Sequence, residues 1–222
     1  MSSNPFIEFL RPHRTVPITP WTGNGRWDLK PLRVFILFFG LFIFGLGDAF
    51  VIQSNIGNGP WSVLAQGVSQ NLRITMGWST FAISAVVLLA WIPLREKPGF
   101  GTFSNVVIIA IAIQIGVEVV PLQSTFLPGL LICLLGIAMI GVATALYITC
   151  GLGSGPRDGL MTAIHHRTGV RVGRVRLGIE LSVVFMGALL GGNVGLGTLL
   201  FAGLIGQSIA VALGVVARLT AK

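Results

Sequence analysis

Apolar residues in this chain run on in long unbroken stretches rather than alternating with polar ones. Six such runs lie near 34–53, 78–94, 103–122, 128–149, 174–191 and 198–217. Each is close to the roughly 20 residues that carry a helix across a hydrocarbon core of about 30 Å. Lipid offers no partner to a bare amide or carbonyl, so a crossing segment must be a helix or part of a closed barrel. Barrel strands alternate lipid-facing with lumen-facing side chains; these runs do not, which predicts six transmembrane helices. Two shorter stretches, 60–73 and 156–168, place apolar residues at helical spacing: Trp61, Leu64, Val68 and Leu72, then Leu160, Met161 and Ile164. A thirteen-residue helix reaches only about 20 Å, so each is expected to lie at the interface or to dip in as a re-entrant segment.

The pattern repeats at an offset of 96 residues. Gly45, Ala49, Ile52, Gly57, Gly59, Pro60 and Leu64 meet Gly141, Ala145, Ile148, Gly153, Gly155, Pro156 and Leu160. Gly77, Ile83, Val87 and Leu94 meet Gly173, Ile179, Val183 and Leu190, and Gly99, Gly101, Thr102 and Ile109 meet Gly195, Gly197, Thr198 and Ile205. Apolar composition alone yields chance Leu and Val matches, but not aligned Gly, Pro and Thr in one ungapped register. A unit of three crossings, repeated, inserts its second copy upside down. The expected fold is therefore an all-α integral membrane protein of six transmembrane helices in two inverted three-helix repeats. Repeat one spans about 34–122 and repeat two about 128–217, each with a short helix after its glycine-rich turn. A basic tail, 1–33, precedes one membrane domain, 34–222. Many secondary transporters use this plan, with the substrate path between the halves.

Composition agrees. The 222 residues are 53% hydrophobic and 10% charged, against about 25% charged in soluble domains. A soluble enzyme, a nucleic-acid module and a disulfide scaffold are thereby disfavoured. The formal charge of +8 does not revive nucleic acid, because the cations cluster between apolar runs. Cytoplasmic loops of membrane proteins carry such an excess of Lys and Arg. With the tail inside, fourteen of the fifteen Lys and Arg residues fall on that side, leaving Arg73 outside. Both termini are then cytoplasmic, in a multi-pass protein of a bacterial inner (plasma) membrane. No apolar core follows the first basic residues closely enough to make a cleavable signal peptide, so the tail is read as a solvated topogenic arm. Arg167, Arg171, Arg174 and Arg176 with His165 and His166 make a basic inner surface suited to anionic lipid headgroups.

The strongest local motif is the duplicated turn, Asn55-Ile56-Gly57-Asn58-Gly59-Pro60 and Gly151-Leu152-Gly153-Ser154-Gly155-Pro156-Arg157-Asp158. Glycines end the incoming helix, and proline suits the first turn of the next. The free N–H groups at that helix start can hold an anion; the plainer reading is a tight turn and a surface helix. Gly99-x-Gly-Thr102 and Gly195-x-Gly-Thr198 are expected to place threonine N-caps before the third and sixth crossings. Asp48, Glu118 and Glu180 fall within predicted helices, where a central charge costs about 2.5–3.5 kcal/mol and must be paired or protonated. Asp48 and Glu118 lie at similar depth and could share a proton or attract a cation. Glu180 is four residues past Arg176, at ion-pair spacing. Asp158 is read either as a cap on the short helix or as a substrate ligand. No zinc-like ligand spacing occurs, no cofactor motif is present, and Cys133 and Cys150 read as small packing residues.

At Gly151-Leu-Gly-x-Gly-Pro-Arg-Asp-Gly-Leu160 and Leu189-Leu-Gly-Gly-x-x-Gly-x-Gly-Thr-Leu199 the chain resembles the YczE/YyaS/YitT-type bacterial integral membrane proteins, over roughly residues 33–215. The resemblance implies the membrane fold and a transport-like role. Trp61-Ser62 replaces Arg-Asp in the first turn, so the charged pair exists on one side only. The expected function is a secondary transporter or exporter of a small polar or anionic solute, not an enzyme. Its expected site comprises Asp48, Asn55, Gly57, Asn58, Gly59, Pro60, Glu118, Gly153, Gly155, Pro156, Arg157, Asp158 and Glu180. The alternative is a non-transporting membrane partner or regulatory subunit that acts through its basic face; a homo-oligomer is compatible with either.

Overall fold

Nine helices account for the described residues, 12 and 15–220 of the computed structural model: α1 (Pro31–Gln53), α2 (Pro60–Leu72), α3 (Met76–Leu89), α4 (Trp91–Leu94), α5 (Phe100–Val119), α6 (Phe126–Thr149), α7 (Pro156–Thr168), α8 (Val172–Leu189) and α9 (Leu196–Thr220). There is no strand among them. Proline opens α1, α2 and α7 at the first turn, where its missing N–H costs nothing. The Thr75 hydroxyl caps α3 by accepting from the Trp78 amide. The single turn α4 prolongs α3, and together they span Met76–Leu94.

The 96-residue offset holds for the elements. Helices α2, α3 and α5 start at 60, 76 and 100; α7, α8 and α9 start at 156, 172 and 196. The packing is paired in the same way: α1 lies on α5 and α6 on α9, while α2 crosses to pack on α8 and α7 crosses to pack on α3. The glycine turns are exchanged too. The Gly197 amide donates to the Ile56 carbonyl at 2.8 Å, and the Gly101 amide donates to Leu152 at 2.8 Å, so each turn is stitched to the Gly-x-Gly-Thr segment of the other half. These bonds require backbone to touch backbone, and Gly57 and Gly153 provide the space, with φ of 121° and 114°.

Thr102 and Thr198 do not sit at N-caps as expected. Gly99 is the N-cap of α5, and the Thr102 hydroxyl reaches back to accept from its amide at 3.1 Å. The Thr198 hydroxyl does the same for Gly195 at 3.2 Å. Thr102 also donates to the Ser154 carbonyl at 2.8 Å, a second stitch between the halves.

Five helices are long and apolar enough to cross a membrane: α1, α3 with α4, α5, α6 and α9. The sixth predicted crossing, 174–191, is the helix α8, whose eighteen residues include Arg174, Arg176 and Glu180. Large side chains such as Phe35, Phe39, Leu131, Leu181, Phe185 and Leu199 point outward, as lipid-facing residues do. One interior cluster gathers Leu37, Leu41, Ile109, Ile113 and Tyr147, and another Val51, Cys133, Ile137, Ile140 and Ile205.

Residues 19–28 are not a solvated arm. Trp21 Nε1 donates to the Thr149 hydroxyl at 3.0 Å, and Thr22 donates to the Thr149 carbonyl at 2.8 Å. Arg33, placed in the tail from sequence, belongs to α1 and is 4% exposed. Its guanidinium donates to the carbonyls of Trp21, Asp28 and Thr22 at 2.6–2.9 Å and pairs with the Asp28 carboxylate at 2.6 Å. That hydrogen-bonded pair holds the Asp28 carboxyl below its usual range. Burial pushes the Cys150 thiol up to about 12, against the pull of Arg33. Arg11, Arg14 and Lys222 lie outside the described residues.

Candidate functional site

Where the two short helices begin, the halves leave a cavity of about 280 Å³. Every helix but α4 contributes a wall. Its composition follows the repeat. Phe44 and Ile140, Asp48 and Thr144, Gly59 and Gly155, Trp61 and Arg157, Ser62 and Asp158, Ser84 and Glu180, Asn105 and Phe201, and Ile109 and Ile205 are all lining residues 96 positions apart. Trp61 and Arg157 touch each other: the guanidinium carbon stands 5.0 Å from the indole centroid. One pair of counterparts is thus in direct contact at this cavity.

The lining positions pair at the repeat offset, but their chemistry differs. In each pair with a charged member, the counterpart is neutral. Asp48, on α1, is 3% exposed, and the Ser62 hydroxyl at the start of α2 stands 2.8 Å from both its carboxylate oxygens. Asp158, on α7, accepts from the Tyr147 hydroxyl at 3.0 Å; it caps no helix, and Gly155 is the N-cap of α7. On α8, Arg176 Nε donates to Glu180 at 2.8 Å, the expected i,i+4 ion pair. Arg157 differs from all of these. Among the described residues its guanidinium makes no hydrogen bond and no ion pair; it lies over Trp61 in the field of Asp48 and Asp158. The contrast with Arg33, whose donors are all directed at protein acceptors, is chemical: Arg157 presents a fork of donors to an open space. Both short helices also start at this cavity, and the first-turn amides of a helix have no partner within it and favour negative charge.

Of the thirteen residues expected at a site, Asp48, Gly59, Pro60, Gly155, Arg157, Asp158 and Glu180 line this cavity. Six do not. Gly57 and Gly153 are packed on the opposite half. Asn55 is exposed at the turn, with φ 59°. Asn58 is fully buried and donates to the Gln66 side chain at 2.8 Å. The Pro156 carbonyl accepts from Trp91 Nε1 at 3.0 Å. Glu118 is exposed and accepts from Gln114 at 2.5 Å, away from Asp48, so the two share no proton. Reading acidic residues one by one missed Trp61, Ser62 and Tyr147. The first two were legible as counterparts of Arg157 and Asp158. Tyr147, the only tyrosine in the chain, carried a signal in its rarity alone.

A model of a family of unknown function, DUF6198, matches residues 31–213. An uncharacterized protein of Haemophilus influenzae is 41% identical over 206 residues, 93% of this chain and 94% of that one. The uncharacterized membrane protein YczE of Bacillus subtilis is 34% identical over 200 residues, covering 86% and 93%. YyaS, an uncharacterized protein of the same organism, is 29% identical over 184 residues, covering 81% and 91%. No solved structure matches.

Proposed function

This chain belongs to the DUF6198 family of YczE-like, multi-pass membrane proteins, and from its cavity we propose that it is a secondary transporter or exporter of a small anion, held by Arg157 between two inverted repeats. The observation that carries the proposal is a guanidinium that makes no hydrogen bond or ion pair among the described residues and lines a cavity whose walls follow the 96-residue repeat. With its short helix read as re-entrant, Arg157 is a costly cation inside the membrane domain, the kind that marks a substrate path. No nucleotide motif is present, so the proposed energy source is a gradient or a separate subunit.

Six crossings are part of the proposal, with α8 as the sixth. Two of the three charges that make α8 less apolar, Arg176 and Glu180, line the cavity as an ion pair, which lowers the cost of placing them in a crossing helix. Three crossings per repeat then give the halves opposite orientation. Labelling tests this. Cys133 and Cys150 are buried, and a thiol near 12 has almost no thiolate at pH 8, so the native protein is expected to stay unlabelled by maleimide. Single cysteines replacing Arg73 and Arg167, both exposed, are expected to label from opposite faces; labelling from one face would remove the inversion.

Asp48 is assigned proton coupling. Asp48, Tyr147, Arg157, Asp158, Arg176 and Glu180 are the titratable groups facing the cavity. Arg176 and Glu180 neutralise each other, and Arg157 is set against Asp48 and Asp158. Protonating Asp48 leaves Arg157 balanced by one carboxylate, with the two helix starts to favour a bound monoanion, so anion and proton move together. In proteoliposomes, Asp48→Asn is expected to retain anion binding but to lose pH-driven movement by tenfold or more, with normal expression. Glu118→Gln is expected to change neither. Full proton-driven transport by Asp48→Asn would remove the coupling. Exposed Arg167, Arg171 and Arg174 suit anionic lipid headgroups, and they also favour the second reading, a regulatory partner; a stoichiometric partner lost on changing all three to Ala would support it.

A further inference from the structure

Next to Trp61 a second space opens, an apolar groove of about 570 Å³. Its walls come from α2, α3, α7 and α8 and include Leu64, Ile83, Val87, Leu160, Ile179 and Val183. The groove also follows the repeat: Leu64 and Leu160, Ala82 and Gly178, Ile83 and Ile179, Val86 and Ser182, and Val87 and Val183 are each 96 positions apart. Its floor is the packed cluster of Trp61, Val87 and Val183. Its rim, formed by Ala82, Val86, Gly178, Ser182 and Met186, is exposed at the molecular surface. Ala82 to Val87 lie in the middle of the Met76–Leu94 span, so the rim opens at the depth of the hydrocarbon core.

Trp61 lines both spaces. The polar, charged cavity that holds Arg157 and the apolar groove whose rim is exposed therefore meet at this one residue. A soluble anion needs the first space and has no use for the second. We infer that the transported anion is the head of an amphiphile, a carboxylate on one hydrocarbon chain, with its head at Arg157 and its chain along the groove between α3 and α8. The groove and cavity together fall within the about 300–1,000 Å³ typical of small-molecule sites. A monoanionic head fits better than a doubly charged phosphate, because Asp48 and Asp158 share the cavity with Arg157. The inference rests on the cavity being the anion site and adds the chain.

Gly178 makes the test clean. A Cβ built there meets nothing within 4 Å, so Gly178→Leu starts its side chain in open space at the groove, and leucine is the better helix former. The intact protein in phosphatidylcholine nanodiscs is exposed to palmitate carrying a mid-chain diazirine, and crosslinks are mapped by mass spectrometry. Propionate, a head without a chain, is titrated separately by calorimetry. The expected result is labelling of Ala82–Val87 and Gly178–Met186, competed by unlabelled palmitate but not by hexadecyltrimethylammonium. Gly178→Leu is expected to cut labelling at least tenfold with propionate binding unchanged, and Arg157→Gln to weaken both. Labelling unaffected by Gly178→Leu, or competed equally by the cationic amphiphile, overturns the amphiphile and leaves the anion carrier standing. Propionate and palmitate both indifferent to Arg157→Gln would overturn the anion site itself.

Discussion

Arg157→Gln is expected to weaken binding of a carboxylate probe such as propionate by about 100-fold or more and to bring uptake to the level of empty liposomes. The magnitude follows from the geometry. A hydrogen bond to a charged group contributes about 1.5–3 kcal/mol, and a guanidinium can present two to one carboxylate in parallel. Losing both exceeds the roughly 2.8 kcal/mol that corresponds to 100-fold. Arg157→Lys is expected to fall between, since lysine keeps the charge but loses the planar fork that lies over Trp61 at 5.0 Å. Trp61→Leu tests the support itself: removal of a cation–π contact of about 0.5–2 kcal/mol lets the guanidinium swing toward Asp48. Calorimetry on the purified variants separates these effects from expression. Wild-type affinity in Arg157→Gln would mean that the guanidinium faces the cavity without using it.

Arg157 also marks the limit of what the sequence made legible. The helices were readable because continuous apolar runs admit no other structure in lipid, and the short helices because proline and glycine fix their starts. The offset of 96 located both turns and the Gly-x-Gly-Thr segments, yet not that each turn is stitched to the other half's segment; such a crossing is a property of packing that periodicity does not encode. The offset did hold the site in latent form. Trp61 and Arg157 are counterparts at that offset, but that this pair meets at the cavity depends on how the helices pack. Glu118 shows the opposite failure. Its face on α5 was not legible: one turn of the helix decides between cavity and surroundings, and a mostly apolar helix gives little from which to judge rotation. Arg33 was misread for the reverse reason, since a basic residue beside a proline suggests a loop until the carbonyls of Trp21, Thr22 and Asp28 are seen to wrap it.

The exchanged turns lead to the largest expected effect on stability. Gly57 has φ 121°, a conformation that costs a side-chain-bearing residue about 1–3 kcal/mol. A Cβ there would also stand 2.6 Å from the Gly195 amide nitrogen and 2.8 Å from its Cα. That neighbour is backbone of the opposite half, held by the Gly197 to Ile56 hydrogen bond, so it cannot rotate away as a side chain would. Overpacking of this kind adds about 1–3 kcal/mol, and Gly57→Ala is expected to destabilise by about 4 kcal/mol, enough to remove most folded protein from a membrane extract. Gly153 has nearly the same φ, 114°, but its Cβ would meet the Thr102 hydroxyl at 2.9 Å and Gly99 Cα at 3.1 Å. A hydroxyl can yield by giving up its bond to Ser154, so Gly153→Ala is expected to cost about 1 kcal/mol less. Gly178→Ala, in open space, is expected to be neutral or stabilising by up to about 1 kcal/mol. Thermal unfolding followed by fluorescence-detected size exclusion ranks the three. Equal stability of Gly57→Ala and Gly178→Ala would mean that the two halves do not grip each other through their turns.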